Sequence, residues 1–105
     1  MINKISLPDG YHVAWSDDFN SNNINDSVWS AETHASGWSD GERQDYSGDK
    51  CIGFKDSCLC IRPKIETECT GATRYVSARI STFGRQDFKY GRIVARIKVP
   101  KTRGV

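Results

Sequence analysis

Alternation at period two is the feature that most constrains this chain, because none of its 105 residues belong to a run that sustains the 3.6-residue period of a helix. From Tyr75 to Thr82, Val76, Ala78 and Ile80 fall on one side and Tyr75, Ser77 and Arg79 on the other. Tyr90 to Val99 repeats the pattern, with Ile93, Ala95, Ile97 and Val99 opposed to Arg92, Arg96 and Lys98. The run Phe83–Phe88 between them is long enough to close an antiparallel hairpin. Shorter strands are predicted at Tyr11–Trp15, with Tyr11, Val13 and Trp15 on one face, and at Val28–Trp29. A further strand holds Leu59 and Ile61, and Pro63 ends it or confines it to an edge. Ser21–Asp26 is rich in turn residues, and His34–Gly41 reads as a loop with Gly37, Asp40 and Gly41 as turn formers. Short strands separated by turns in this way predict an all-β sandwich or jelly roll.

Composition narrows the classes further. A hydrophobic fraction of 37% and a mean hydropathy of −0.59 leave no stretch near the ~20 apolar residues of a membrane-spanning helix. Aromatic residues at 10% are too frequent for a disordered chain. A chain of this mass buries about 65% of its unfolded surface, enough for one modest core. The N-terminal run Met1–Pro8 lacks the apolar stretch of a secretory signal, which leaves open a chain that stays inside the cell and one whose leader has been removed. Cys51, Cys58, Cys60 and Cys69 contain no C-x-x-C pair, and His12 and His34 lie well upstream, which argues against zinc. Small, buried, reduced core cysteines are the simplest expectation, with a bridge involving Cys51 or Cys69 as the alternative.

The net charge of +2 is too small to suggest a nucleic-acid partner. From Arg85 onward, however, there are seven Lys or Arg residues against the single acid Asp87. Strand alternation assigns three of these to a solvated face, and a basic cleft for an anionic glycan is the second reading. Phosphate contacts to a nucleic acid come third.

Several blocks, in order along the chain, resemble glycoside hydrolase family 16. They are Trp15-Ser16-Asp17-Asp18-Phe19, Val28-Trp29, Glu42-Arg43-Gln44-Asp45-Tyr46 and Tyr75-Val76-Ser77-Ala78-Arg79-Ile80-Ser81-Thr82. Phe88-Lys89-Tyr90-Gly91-Arg92 and Ala95-Arg96-Ile97-Lys98-Val99-Pro100 complete the series. The resemblance implies a concanavalin-like jelly-roll β-sandwich that hydrolyses β-linked polysaccharides, β-1,3- or β-1,3-1,4-glucan above all, with retention at the anomeric carbon. It also implies an extracellular or periplasmic setting. Retention needs two carboxyl groups about 5–5.5 Å apart, and the family draws both from a strand motif E-x-D-x-x-E or E-x-D-x-E. The glutamates of the chain are Glu32, Glu42, Glu66 and Glu68, and none opens such a motif. The chain therefore resembles the N-terminal part of such a domain, 1–105, cut before its catalytic strand, and by itself is expected to be inactive. The alternative is a non-catalytic, lectin-like glucan-recognition module on the same fold.

The resemblance also nominates binding residues. Glu42, with Gln44 and Tyr46, matches a stretch that in the family borders the sugar cleft; the alternative is a structural polar loop. Arg79 matches the arginine of the family's Ser-Gly/Ala-Arg block, and its planar fork suits sugar hydroxyls; the alternative is a surface charge. Trp38 offers a flat apolar face on which a pyranose can stack, or else caps the core. Trp15 and Trp29 are assigned to the core. Asp40 and Gly41 stand where the family often has asparagine, and Val94 replaces a frequent acid, so no sugar contact is carried over to these positions. Asp17 and Asp18 fall where the family often has an Asp-Glu pair near a structural calcium. Such an ion needs about six or more oxygen ligands, one of them drawn from far downstream, so calcium is only weakly supported and no other cofactor is expected.

Overall fold

The computed structural model describes residues 6–103. All of its regular structure is strand: β1 (Ser30–Ala31), β2 (Thr33–His34), β3 (Gln44–Ser47), β4 (Ile52–Lys55), β5 (Cys58–Ile61), β6 (Lys64–Thr67), β7 (Thr73–Ser77) and β8 (Ile80–Ser81). The strands form a four-stranded sheet in the order β2-β3-β7-β6 and two two-stranded sheets, β1-β8 and β4-β5. The all-β expectation is met.

Parity explains the central sheet. Glu66 pairs with Arg74 and Lys64 with Val76 across the antiparallel β6–β7 ladder, while Asp45 lies beside Val76 on the parallel partner β3. Directly opposed residues share a face, so Val76, Arg74, Asp45, Lys64 and Glu66 form one face. Gln44, Tyr46, Ile65, Tyr75 and Ser77 form the other, together with His34, the β2 partner of Tyr46. Val76, exposed by only 1%, packs with Cys51 and Ala78, and Ile52 leans against them. The alternation of Val76 and Ala78 places both inward, as expected from Tyr75–Thr82. The strand nevertheless breaks after Ser77, and Ile80–Ser81 leaves for β1.

The β4–β5 hairpin turns on Asp56 and Ser57, both at positive φ (52° and 57°). Two such residues in succession match the twist of a two-residue hairpin. Pro63 follows β5 and separates it from β6, as the sequence indicates.

Four expectations are corrected. Val28–Trp29 is not a strand: both amides close a turn on the Asn25 carbonyl, and β1 begins only at Ser30. Tyr11–Trp15 is not a strand, and Tyr11 and Val13 are exposed; no neighbouring strand among the described residues offers that segment a ladder, and Trp15 packs against Trp29 and Phe88 instead. Tyr90–Val99 forms no strand, with Ile93 at 86% and Ile97 at 73% exposure. The reason lies in the sheet order, because both edges of β7 are already taken by β3 and β6 and no hairpin partner is left. Of the cysteines, all with free thiols, Cys51 is buried as expected, but Cys58 and Cys69 are exposed and Cys60 is half-buried. Cys58 lies opposite Lys55 at the turn end of the β4–β5 hairpin, whereas Ile52 at the other end packs on the core.

Candidate functional site

The face of the central sheet that carries Tyr46 is covered at one end by the loop 35–43. Gly37 (φ 80°), Asp40 (φ 53°) and Gly41 (φ 65°) all adopt the left-handed conformation that lets this loop turn tightly. Its base is closed by Gly37 N donating to the Glu42 carbonyl at 2.7 Å. It is also tied to the sheet, since Ser36 N donates to Asp45 Oδ1 at 2.7 Å and Arg74 Nε donates to Asp45 Oδ2. The guanidinium holds the Asp45 carboxyl below its ordinary range, helped by the Ser36 amide.

The loop brings Trp38 onto the sheet. Its ring lies parallel to His34, with centroids 3.6 Å apart and planes within 12°, and edge-on to Tyr46 at 6.2 Å. Tyr46, nearly buried, also meets His34 edge-on. The Arg79 guanidinium carbon stands 5.0 Å from the Trp38 ring centroid, within cation–π range. Trp38 keeps 46% of its surface exposed.

Beneath this aromatic group runs a polar chain. Gln44 Nε2 donates to the Tyr46 hydroxyl at 3.1 Å, and that hydroxyl donates to Glu42 Oε2 at 3.0 Å. On the other side Glu32 gathers three partners. His34 Nε2 lies 2.8 Å from Oε1, Arg79 Nε lies 3.5 Å from Oε2, and the Ser81 side chain also bonds the carboxylate. The His34 bond is the main cause that lowers the Glu32 carboxyl from its ordinary value of 4.5, followed by Ser81 and, more weakly, by the Arg79 charge. An ionised carboxylate only accepts, so the proton in the Glu32–His34 bond sits on Nε2.

The structure thus brings Trp38, Arg79, Tyr46 and Glu42 into one cluster with Gln44. Glu32 and His34 belong to the same cluster and were not nominated from sequence. The spacing Glu32-Thr33-His34 was the available signal, since i and i+2 share a face of an extended chain. Asp45 and Arg74, which tether the loop, were also missed. The Asp17 carboxylate is occupied by Phe19 N at 2.9 Å and Trp29 Nε1 at 2.8 Å. Among the described residues no group of three or more His, Cys, Asp or Glu is arranged to hold a metal ion. Half-buried Trp15, Trp29 and Phe19 form a separate aromatic group with the exposed Phe88. A depression of about 430 Å³ beside the cluster is lined by Thr33, His34, Tyr46, Asp45, Lys50 and Arg74. It reaches from the cluster to the Asp45–Arg74 side and does not include Trp38 or Arg79.

Chemically, the cluster offers a half-exposed indole, stacked on His34 and with the Arg79 guanidinium over its ring, beside a carboxylate and an amide. Such a set can meet a sugar with the exposed part of the indole and bond its hydroxyls. The backbone that carries it is also met among solved enzymes. The chain is similar to the catalytic domain of an endo-1,3-beta-glucanase (laminarinase) from Thermotoga petrophila, with a TM-score of 0.62 and 30% identity over 76% of this chain and 34% of that one. It carries the jelly-roll β-sandwich fold of those domains. Laminarinase from a Flavobacterium species matches at 27% identity with a TM-score of 0.61, again over 76% of this chain and 34% of the other. By sequence, the glucan endo-1,3-beta-glucosidase A1 of Niallia circulans is 27% identical over 110 residues, which is 91% of this chain and 16% of that protein. No protein-family model matches the chain. The chain spans about a third of the length of the solved laminarinase domains and a sixth of the curated relative.

Proposed function

We propose that this chain is the glucan-binding N-terminal part of a glycoside hydrolase family 16 β-glucanase, acting on β-1,3- or β-1,3-1,4-glucan. Trp38 and Arg79 hold a glucosyl ring, and Glu42, with Tyr46 and Gln44 behind it, bonds the hydroxyls. The observation that carries the reading is the half-exposed Trp38 fixed between His34, Tyr46 and Arg79. Likeness to proteins named as laminarinases supports β-1,3-glucan as the substrate class. Retaining hydrolysis belongs to a carboxylate pair outside these 105 residues, because none of Glu32, Glu42, Glu66 and Glu68 opens the E-x-D-x-x-E motif. Glu32 is committed to His34 and Arg79, and Glu42 to Tyr46, which suits positioning rather than acid or nucleophile chemistry.

The test uses the 105-residue chain itself. Laminarin added to it is expected to change tryptophan emission saturably, and Trp38→Ala is expected to abolish that change. No reducing ends are expected from laminarin, lichenan or agarose. Turnover that co-purifies with the chain and is lost in Glu42→Gln would overturn the assignment of the carboxylates. A laminarin response that is absent, or unchanged in Trp38→Ala, would overturn the binding site.

A further inference from the structure

The two faces of the β4–β5 hairpin differ in chemistry. Ile52 pairs with Ile61 and Phe54 with Leu59, and directly opposed residues share a face, so these four make one side wholly apolar. Ile52 anchors that side on the core. Gly53 pairs with Cys60 and Lys55 with Cys58, which gathers two thiols, a lysine and a glycine on the other side. Each sheet of a sandwich has one inner face, and the apolar side supplies it here. The Cys58–Cys60 side is therefore the outward one, whatever further strands complete the sandwich, and the charge of Lys55 suits it to water.

Cys58 and Cys60 are free thiols, and the strand gives them no route to a bridge with each other. Residues i and i+2 of a strand have Cβ atoms about 6.7 Å apart, whereas a disulfide needs about 3.5–4.5 Å. Cys51, 3% exposed and packed with Val76 and Ala78, is committed to the core. The two thiols make only weak contacts, Cys58 Sγ donating to the Asp56 carbonyl at 3.5 Å and Cys60 Sγ to the Cys58 carbonyl at 4.0 Å. The Cys60 thiol thus leans along the strand toward residue 58. Opposite Cys60, a Cβ added to Gly53 would meet nothing within 4 Å, which leaves room beside the sulfur.

We propose that Cys58 and Cys60 form a two-coordinate site for a soft monovalent cation, Cu(I). Thiolates select soft ions, and two of them satisfy an ion that accepts linear coordination, where zinc takes four ligands. Among the described residues no third His, Cys, Asp or Glu joins the pair, which keeps the site at two donors. Two metal–thiolate bonds of about 2.3 Å in line span about 4.6 Å. A lean of about 1 Å by each thiol makes up the difference from the strand spacing, and for Cys58 this is a change of rotamer at an exposed side chain. Binding exchanges two S–H protons for one Cu(I) ion and leaves a singly negative bis-thiolate. The positive charge of Lys55, opposite Cys58, offsets it. None of these residues contributes to the Trp38 cluster, so the site does not rest on the glucan reading.

The experiment titrates the intact chain with Cu(I), kept reduced by ascorbate without oxygen, in competition with a chromophoric Cu(I) chelator. One ion per chain is expected, and X-ray absorption at the copper edge should show two sulfur neighbours. Cys58→Ser and Cys60→Ser, both on the outward face, should each weaken binding about a hundredfold or more, the lower end of the gain from a second tethered donor. Cys69→Ser should bind as the parent does, and circular dichroism of each variant checks its folding. Sedimentation of the loaded chain should give the monomer mass of 11.8 kDa, since both donors come from one strand. Binding that survives Cys58→Ser, binding lost with Cys69→Ser, or copper that holds two chains together would overturn the proposal. A folded parent that takes up no copper would overturn it equally.

Discussion

Glu32 and Arg79 are joined twice, once through the backbone and once through their side chains. Glu32 N donates to the Arg79 carbonyl at 2.8 Å, and Arg79 Nε lies 3.5 Å from Glu32 Oε2. The backbone bond aligns the stretch between β1 and β2 with the stretch between β7 and β8. The carboxylate then draws the guanidinium toward Trp38, so a residue between two late strands is aimed at a loop tryptophan far away in sequence.

Arg79→Ala should therefore weaken laminarin binding by roughly 1–3 kcal/mol, the scale of charge-assisted hydrogen bonds. Isothermal titration calorimetry on the 105-residue chain measures it. Arg79→Lys should recover only part of the loss, because an ammonium keeps the charge without the planar fork. Full binding by Arg79→Ala would return the side chain to the ordinary surface.

The Glu32 carboxyl gives a pH signature. Its folded-state value is lowered below 4.5, chiefly by the His34 hydrogen bond. A lowered carboxyl stabilises the folded form fully above the unfolded value, and that contribution fades as pH falls through the folded value. Glu32→Gln should thus melt below the parent at pH 6–7, a window chosen to lie above about 4.5. The gap should narrow steadily once the pH drops below that value. Melting curves of the two proteins at matched pH provide the check, and a gap that is constant down to pH 3 would contradict the assigned cause.

Asp45 predicts a local effect. Its carboxylate receives both the Ser36 amide and Arg74, so Asp45→Asn removes the ionic half of the tether and loosens the loop. Amide exchange in 36–42 should accelerate, and the Trp38 emission should shift to the red as its stacking on His34 fails. In the parent, the same tether should weaken as pH falls below 3.8, since Asp45 is lowered from that value mainly by Arg74. Unchanged exchange in the loop would show that Gly37 and Glu42 hold it without help.

Much of this arrangement was legible in the sequence, and the limits are physical. Val76 and Ala78 could be placed inward because a half-buried strand imposes alternation. Gly37, Asp40 and Gly41 marked the Trp38 loop because few other residue types take positive φ. The β4–β5 hairpin was half seen, since Asp56-Ser57 lacks the glycine that usually signals a two-residue turn. Arg74 and the hold of Glu32 on Arg79 were hidden because those contacts join strands far apart in the chain, whereas Glu32 and His34 left their i, i+2 spacing as a local trace. Asp45 reaches Arg74 across 29 residues. Tyr90–Val99 misled for a different reason. Alternation states which side chains would share a face, but not whether any strand remains free to pair with them.

The contrast between Val76 and Ile97 turns that last point into a measurement. By pattern both belong to inward faces, yet Val76 is 1% exposed and Ile97 is 73% exposed. Val76→Ala removes two methyl groups from the packed contact with Cys51 and Ala78 and should cost about 2 kcal/mol. Ile97→Ala should fall within about 0.5 kcal/mol of the parent, as substitutions on open surface do. Urea unfolding of the parent and the two variants measures both values. Equal losses for the two variants would mean that 90–99 is packed within a single chain.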